Sequence, residues 1–144
     1  DELALAGRAA REGVADLVTF SGPVPAPALA AQFRAADVVA MPSASETYGL
    51  VALEAQACGT PVLAHRVGGL VYAVLDGVSG RHVTAGTPEA WADALAEILA
   101  DRDAWAALGP GAVRHAAGHS WEAYADGLLE AVTAVPRRSP GLDA

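Results

Sequence analysis

Apolar positions along this chain change period from segment to segment. Residues 37–41 (D-V-V-A-M) and 61–65 (P-V-L-A-H) are short, nearly continuous apolar runs closed by Pro, Gly or polar residues. The first predicts a strand covered on both faces, and the second a further strand. Residues 17–20 (L-V-T-F), closed by Ser21-Gly22-Pro23, predict another strand, and residues 81–83 (R-H-V) a short one. Between these lie stretches with helical spacing. Residues 2–12 carry Leu3, Leu5, Ala6, Ala9 and Ala10 among charged residues and end at Gly13. Residues 28–36 place Leu29, Phe33 and Ala36 inward, residues 49–57 stop at Gly59 and Pro61, and residues 70–75 follow Gly68-Gly69.

Beyond residue 87 the pattern is helical throughout. Thr87 caps a helix over 88–99, with Pro88 first, Glu89 in its opening turn, and Trp91, Leu95, Ile98 and Leu99 on one face. A second helix covers 102–117, with Gly109-Pro110 the place for a break. Ser120 caps a third over 121–135, its inner side formed by Trp121, Tyr124, Leu128 and Leu129. The tail 136–144 reads as disordered. Strands alternating with helices predict an α/β fold: a partial Rossmann-like parallel sheet, helices on both faces, and a C-terminal helical run in one domain over 1–135.

Composition narrows the function classes. The 144 residues are 53% hydrophobic and 18% charged, which excludes a charged disordered chain. Nine Arg and no Lys face 17 acids, for a net charge of −8, so a nucleic-acid partner is not expected. A single phosphate-bearing ligand is compatible with that charge, because helix N-termini bind anions without basic side chains. No run approaches the ~20 apolar residues of a membrane span. The opening D-E-L-A-L-A-G-R lacks the basic-then-apolar pattern of a signal peptide. Cys58 is the only cysteine, which excludes an internal disulfide and a cysteine metal cluster and sets a reducing cytoplasm as the default compartment.

The strongest candidate chemistry follows the strand at 37–41, since open parallel sheets bind ligands at the carboxyl ends of their strands. There the chain reads P-S-A-S-E-T-Y-G-L-V-A-L-E. Ser43, Ser45 and Thr47 supply hydroxyls, and Gly49, Leu50 and Val51 open a helix whose unpaired amides and dipole suit a phosphate. Glu46 precedes that helix. Glu54, eight residues on, shares a face with Leu50, Val51 and Cys58. Carboxylates accept hydroxyl hydrogen bonds well, so two of them beside an anion site suit a sugar nucleotide. The bland alternative, a solvated turn glutamate and a helix-edge glutamate, stays open on spacing alone.

A second candidate is Arg66-Val67-Gly68-Gly69, an anion nest or a plain tight turn. His65 reads as a hydrogen-bonded structural residue rather than a ligand. His82, His115 and His119 have no metal-ligand spacing, so neither a metal nor a cofactor is expected. Trp91, Trp105 and Trp121 read as packing anchors.

The run P-S-A-S-E-T-Y-G-L-V-A-L-E-A-Q-A-C-G-T-P-V, residues 42–62, resembles retaining glycosyltransferases of the GT-B type, in their C-terminal, donor-binding domain with the E-x7-E motif. V-T-F-S-G at 18–22, V-G-G-L at 67–70, D-G at 76–77 and S-W-E at 120–122 fall in the family's order. The resemblance covers about residues 1–135. E-A-Q-A-C-G-T-P-V, with Tyr72 where many relatives carry Glu, is most similar to the branch that moves N-acetylglucosamine to inositol phosphate in actinobacterial mycothiol synthesis.

The resemblance implies that Glu46, the catalytic candidate, holds donor-sugar hydroxyls. Thr47, Tyr48, Gly49, Leu50 and Val51 would lie along the diphosphate and sugar, Glu54 would bind ribose, and Gly22 would approach the base. The implied co-substrate is a nucleotide-diphosphate sugar, UDP-N-acetylglucosamine foremost, and the implied acceptor a small molecule or glycolipid. It also implies that the family domain's first two strands, their basic pair and an N-terminal Rossmann-like domain precede this segment. A fragment of that kind is expected to be inactive alone and open to homo-oligomerisation or strand swapping. Two readings remain beside it: a non-catalytic nucleotide or sugar-phosphate binding module, and a regulatory or structural α/β domain.

Overall fold

A computed structural model describes residues 2–134. The elements in order are α1 (Glu2–Arg11), a 3-10 turn (Ala15–Leu17), α2 (Ala26–Ala35), β1 (Val39–Met41), α3 (Leu50–Ala57), β2 (Val62–His65), α4 (Leu70–Ala73), β3 (Gly80–Val83), α5 (Pro88–Ala100), α6 (Arg102–Ala106), α7 (Gly109–Ala117) and α8 (Trp121–Ala134). The strands form one parallel sheet in the order β1-β2-β3. Val39 pairs with Val62, and Val62 in turn with Gly80.

The α/β architecture follows from β2, which is buried on both sides. Its side chains alternate, as strand geometry requires. Val62 and Ala64 face Ala52, Leu53 and Ala55 of α3 and Leu70 and Ala73 of α4. Leu63 faces the other way, into Val83, Ile98 and Trp105. Two apolar clusters thus flank the sheet.

Polar contacts tie these layers together. Gln56 is fully buried, and its Nε2 donates to the carbonyls of Ala52 at 3.0 Å and Ala73 at 2.7 Å, joining α3 to α4. On the other face, Trp105 Nε1 donates to Asp37 O at 2.9 Å. The Thr87 hydroxyl caps α5 by accepting from Ala90 N at 3.4 Å, and Asp101 caps α6 by accepting from Ala104 N at 3.0 Å. Ser120 caps α8 by accepting from Ala123 N at 3.2 Å.

Five expectations are corrected. Leu17 to Phe20 is no strand: Leu17 ends a 3-10 turn and all four residues are exposed. Their β-favouring side chains have no neighbouring strand to pair with among the described residues, and β propensity without a partner does not make a strand. On α2 only Phe33 of the three inward residues is buried, while Ala36 is the exposed C-cap. Ala40 is exposed, so β1 is covered on one face only. Trp121, Tyr124, Leu128 and Leu129 do not face a core: α8 buries no residue, and Trp121 is 84% exposed. The break in the 102–117 helix falls at Ala107-Leu108, with Pro110 in the first turn of α7, where its missing N–H costs nothing. Residue 135 and the tail 136–144 lie outside the described residues.

Replacing Gln56 by Ala leaves the Ala73 carbonyl buried without its donor. Urea unfolding of the Q56A protein should show a loss of about 1–3 kcal/mol. An unchanged midpoint would show that the α3–α4 tie carries no stability.

Candidate functional site

The loop after β1 leads from Pro42 to Gly49 and delivers the chain into α3. Gly49 is the N-cap of α3 and sits at φ 93°, ψ 37°, a conformation that side-chain-bearing residues rarely adopt. It is also pressed against α4: a Cβ there would stand 2.7 Å from Ala73 Cβ. No side chain caps α3. The first amides of a helix have no partner within it; at Leu50 and Val51 the side chains beside them are exposed.

Glu46 is half-buried, and its carboxylate is partly engaged. Oε1 accepts from Thr47 N at 3.0 Å and from Tyr48 N at 3.4 Å, which folds the side chain back over its own turn. Oε2 has no partner among the described residues. Thr47 and Tyr48 are exposed.

Glu54 lies on the solvent side of α3 with Leu50, Val51 and Ala57; the core side is Ala52, Leu53, Ala55 and Gln56. The apolar face that carries Glu54 is therefore an open surface. Five residues after Gly49, Glu54 stands roughly 7.5 Å along the helix axis. It borders a hollow of about 260 Å³ with Ala26, Leu29 and Phe33 of α2. Thr47 and Tyr48 border a different one, of about 200 Å³, with Tyr72 and His119. Gly22 stands in an exposed turn at φ 60°, four residues ahead of Ala26. Glu46 lines neither of these hollows and Gly49 between the two glutamates is buried, so the carboxylates are linked through α3 rather than through a shared hollow.

The Gly68-Gly69 turn has a role different from an anion nest. Gly69 N–H donates to Glu46 O at 2.8 Å, so that amide is already spent. A Cβ on Gly69 would meet Thr47 O at 2.5 Å and Tyr48 Cα at 2.6 Å. The two glycines let the turn after β2 lie directly on the loop after β1. His65 fixes the same loop from β2, its Nδ1–H donating to Ser43 O at 3.0 Å, a structural role. His82 is likewise structural, Nε2–H donating to Val74 O at 2.9 Å.

A hollow of about 430 Å³ opens at the carboxyl ends of all three strands, between Pro42 and Ala44 after β1, His65 ending β2, and Gly86 and Trp91 beyond β3, with Arg8 at its border. Another of about 410 Å³, lined by Leu95, Ile98, Trp105, Arg34 and Arg102, lies at the amino ends and is remote from the loop of Glu46. Parallel sheets bind ligands at the carboxyl end, and the first hollow is the one placed there. Among the described residues no three His, Cys, Asp or Glu side chains gather as a metal site, and no helix is long and apolar enough to cross a membrane.

The family model for glycosyl transferases group 1 matches residues 2–115. The chain belongs to this family. Its relatives include proteins named D-inositol 3-phosphate glycosyltransferase from Thermobispora bispora, 54% identical over 129 residues, and Nocardia farcinica, 53% identical over 131 residues. The alignments cover 90% and 91% of this chain but 30% and 29% of those relatives, so the chain spans about a third of their length. Among solved structures, sucrose-phosphate synthase from Thermosynechococcus elongatus superposes with a TM-score of 0.81 at 36% identity, over 90% of this chain and 33% of that one. Anabaena HepE in complex with UDP-glucose gives 0.77 at 27% identity, over 92% and 36%. The fold is thus that of GT-B glycosyltransferases.

In this family member the loop that carries Glu46 also touches a residue that the sequence pattern passes over. His119, 71 positions away, meets Tyr48 edge to face at 6.5 Å. No spacing or motif links the two.

The Gly69 contact is directly testable. Gly69 has an ordinary helical backbone, φ −64°, so Ala is not strained there by conformation, and any cost comes from the clash with Thr47 and Tyr48. G69A should lower stability by about 1–3 kcal/mol in thermal or urea unfolding. A stabilised G69A protein would mean that the two loops are not in contact.

Proposed function

We propose that this chain is the donor-binding part of a retaining glycosyltransferase. The reaction moves a sugar from a nucleotide-diphosphate sugar, UDP-N-acetylglucosamine foremost, to a hydroxyl acceptor such as inositol phosphate. The observation that carries this reading is the uncapped start of α3, with its glycine held against α4 and a carboxylate on either side in sequence. The UDP-glucose bound by the HepE structure and the names of the inositol-phosphate relatives support the substrate classes.

The chemistry follows from the groups present. The departing nucleotide diphosphate gains negative charge as the sugar–oxygen bond breaks. Amides at Gly49, Leu50 and Val51, backed by the α3 dipole, take up that charge without reorganising. Glu54 accepts from the vicinal hydroxyls of ribose, and Gly22 lies toward the base. Glu46 spends Oε1 on the Thr47 and Tyr48 amides and offers Oε2 to hydroxyls of the transferred sugar. Being tethered, it meets the sugar in a fixed pose. It serves as the catalytic carboxylate by orienting the sugar rather than by attacking it. The acceptor site and the remaining catalytic groups belong to the longer protein, with residues 1–135 as its donor domain, so this segment alone does not complete transfer. Cys58 is a free thiol, in keeping with a reducing compartment such as the cytoplasm.

Calorimetric titration of the full-length protein with UDP and with UDP-N-acetylglucosamine separates the two glutamates. E54A should weaken both ligands by about tenfold, as the loss of hydrogen bonds to a charged group does. E46A should weaken the UDP-sugar and leave UDP within about twofold. Equal losses for both ligands in E46A would overturn its sugar role. Binding of UDP-N-acetylglucosamine with no transfer to any hydroxyl acceptor would favour a non-catalytic binding module.

A further inference from the structure

Helix α7 runs antiparallel to α3. At its start, Gly109 lies against the Gly59 carbonyl just beyond the end of α3. Past its C-terminal end, His119 reaches Tyr48 just before the start of α3. Each ring at this end is held by a directed bond. His119 Nδ1–H donates to His115 O at 3.0 Å, tying the ring to the last turn of α7. His115 Nε2–H donates to Tyr72 O at 3.1 Å, tying α7 to the end of α4. The two imidazoles lie 4.6 Å apart at 66°. Burial, and then the neighbouring His119 ring, lower the His115 pKa from its ordinary value, against the backbone carbonyls of Tyr72 and Ala73, which raise it.

These contacts converge on one side chain of the donor loop. The Tyr48 backbone is pinned from below by the Gly69 turn, and its ring is met from the side by His119. The Tyr48 amide is one of the two that hold Glu46 Oε1. The cavity of about 200 Å³ between Thr47, Tyr48, Leu53, Tyr72 and His119 leaves the Tyr48 ring room to swing if the His119 edge is removed.

We propose that His119 is a positioning residue for the donor sugar: it fixes Tyr48 edge to face, and through the Tyr48 amide it sets the pose of the Glu46 carboxylate. This inference rests on the donor-binding reading above. His119 touches no substrate. Its effect reaches the sugar end of the donor and leaves the nucleotide end, held by Glu54 and the α3 amides, unchanged.

The test uses the full-length protein and two probes, UDP and UDP-N-acetylglucosamine, in calorimetric titrations. H119A should weaken the UDP-sugar by about three- to tenfold, the range of one aromatic edge-to-face contact, and leave UDP within about twofold. H119F keeps an aromatic edge and should recover most of the sugar affinity, although it loses the bond to His115 O. A double-mutant cycle with Y48L should be non-additive, with H119A having no further effect once the Tyr48 ring is gone. Equal weakening of UDP and UDP-sugar, no recovery in H119F, or additivity with Y48L would each overturn the proposal. If H119A does not fold, H119L, which fills the space without an aromatic edge, takes its place in the cycle: a loss of UDP-sugar affinity in the wild type that vanishes in the Y48L background supports the contact, and equal losses in both overturn it. A wild-type protein that binds neither probe contradicts the donor-binding reading itself, whereas a wild-type that binds both beside an unaltered H119A contradicts only the role of His119.

Discussion

The backbone contact between the turn after β2 and the loop after β1 is the constraint on which the site depends. Gly69 N–H binds Glu46 O, and neither Gly68 nor Gly69 leaves space for a side chain. Two parallel strands can stand in register and still let their loops wander, because loops carry few contacts of their own. Here the loops are pressed together until backbone meets backbone. The consequence is local and specific. The chain enters α3 through a left-handed glycine packed on α4, and the first amides of that helix are presented with no side chain over them.

From that constraint the chemistry follows in order. An uncapped helix start lowers the cost of bringing a diphosphate to it. A carboxylate clamped by its own turn is preorganised for hydroxyls, so less entropy is lost when a sugar binds. A second carboxylate further along the same helix inherits its direction from α3. The core beneath supports the arrangement: the Gln56 bonds to Ala52 and Ala73 lock α3 to α4, the two helices whose ends meet at the site. His119 adds a further hold from α7. On the proposed reading, function draws on three helices and two loops, although the motif that announces it is confined to one.

Much of this was legible in the residues and some was not, for physical reasons. β2 was readable as a strand because Val62, Leu63 and Ala64 form a short apolar run between Pro61 and the turn that follows, whereas the same kind of run at 37–41 gave no sign that Ala40 is exposed. The start of α5 was readable because Thr87 and Pro88 make a cap by local chemistry alone. Glu54 stood out because a carboxylate on an otherwise apolar helix face is costly to bury without partners, and Glu46 because it directly precedes a glycine-opened helix. By contrast, Leu17 to Phe20 have strand-like side chains, yet pairing is a property of neighbours, and no described strand lies beside them. The apolar stripe of Trp121, Tyr124, Leu128 and Leu129 was read correctly as a stripe and wrongly as a buried one, because periodicity gives a face and not what covers it. The Gly68-Gly69 pair left an anion nest and a plain tight turn both open because both need glycine, and only the distances to Glu46 and Thr47 separate them. The Tyr48–His119 contact left no trace in spacing, as contacts between distant segments do not.

The central claim is that the open amides at the start of α3 receive the donor's diphosphate. Amide hydrogen exchange of the full-length protein, resolved at Gly49, Leu50 and Val51 with and without UDP, tests it most directly. Fast exchange in the free protein and marked slowing of these three amides with UDP is the predicted result. Amides at Gly49 to Val51 that exchange identically with and without saturating UDP, while protection appears elsewhere in the protein, would contradict it.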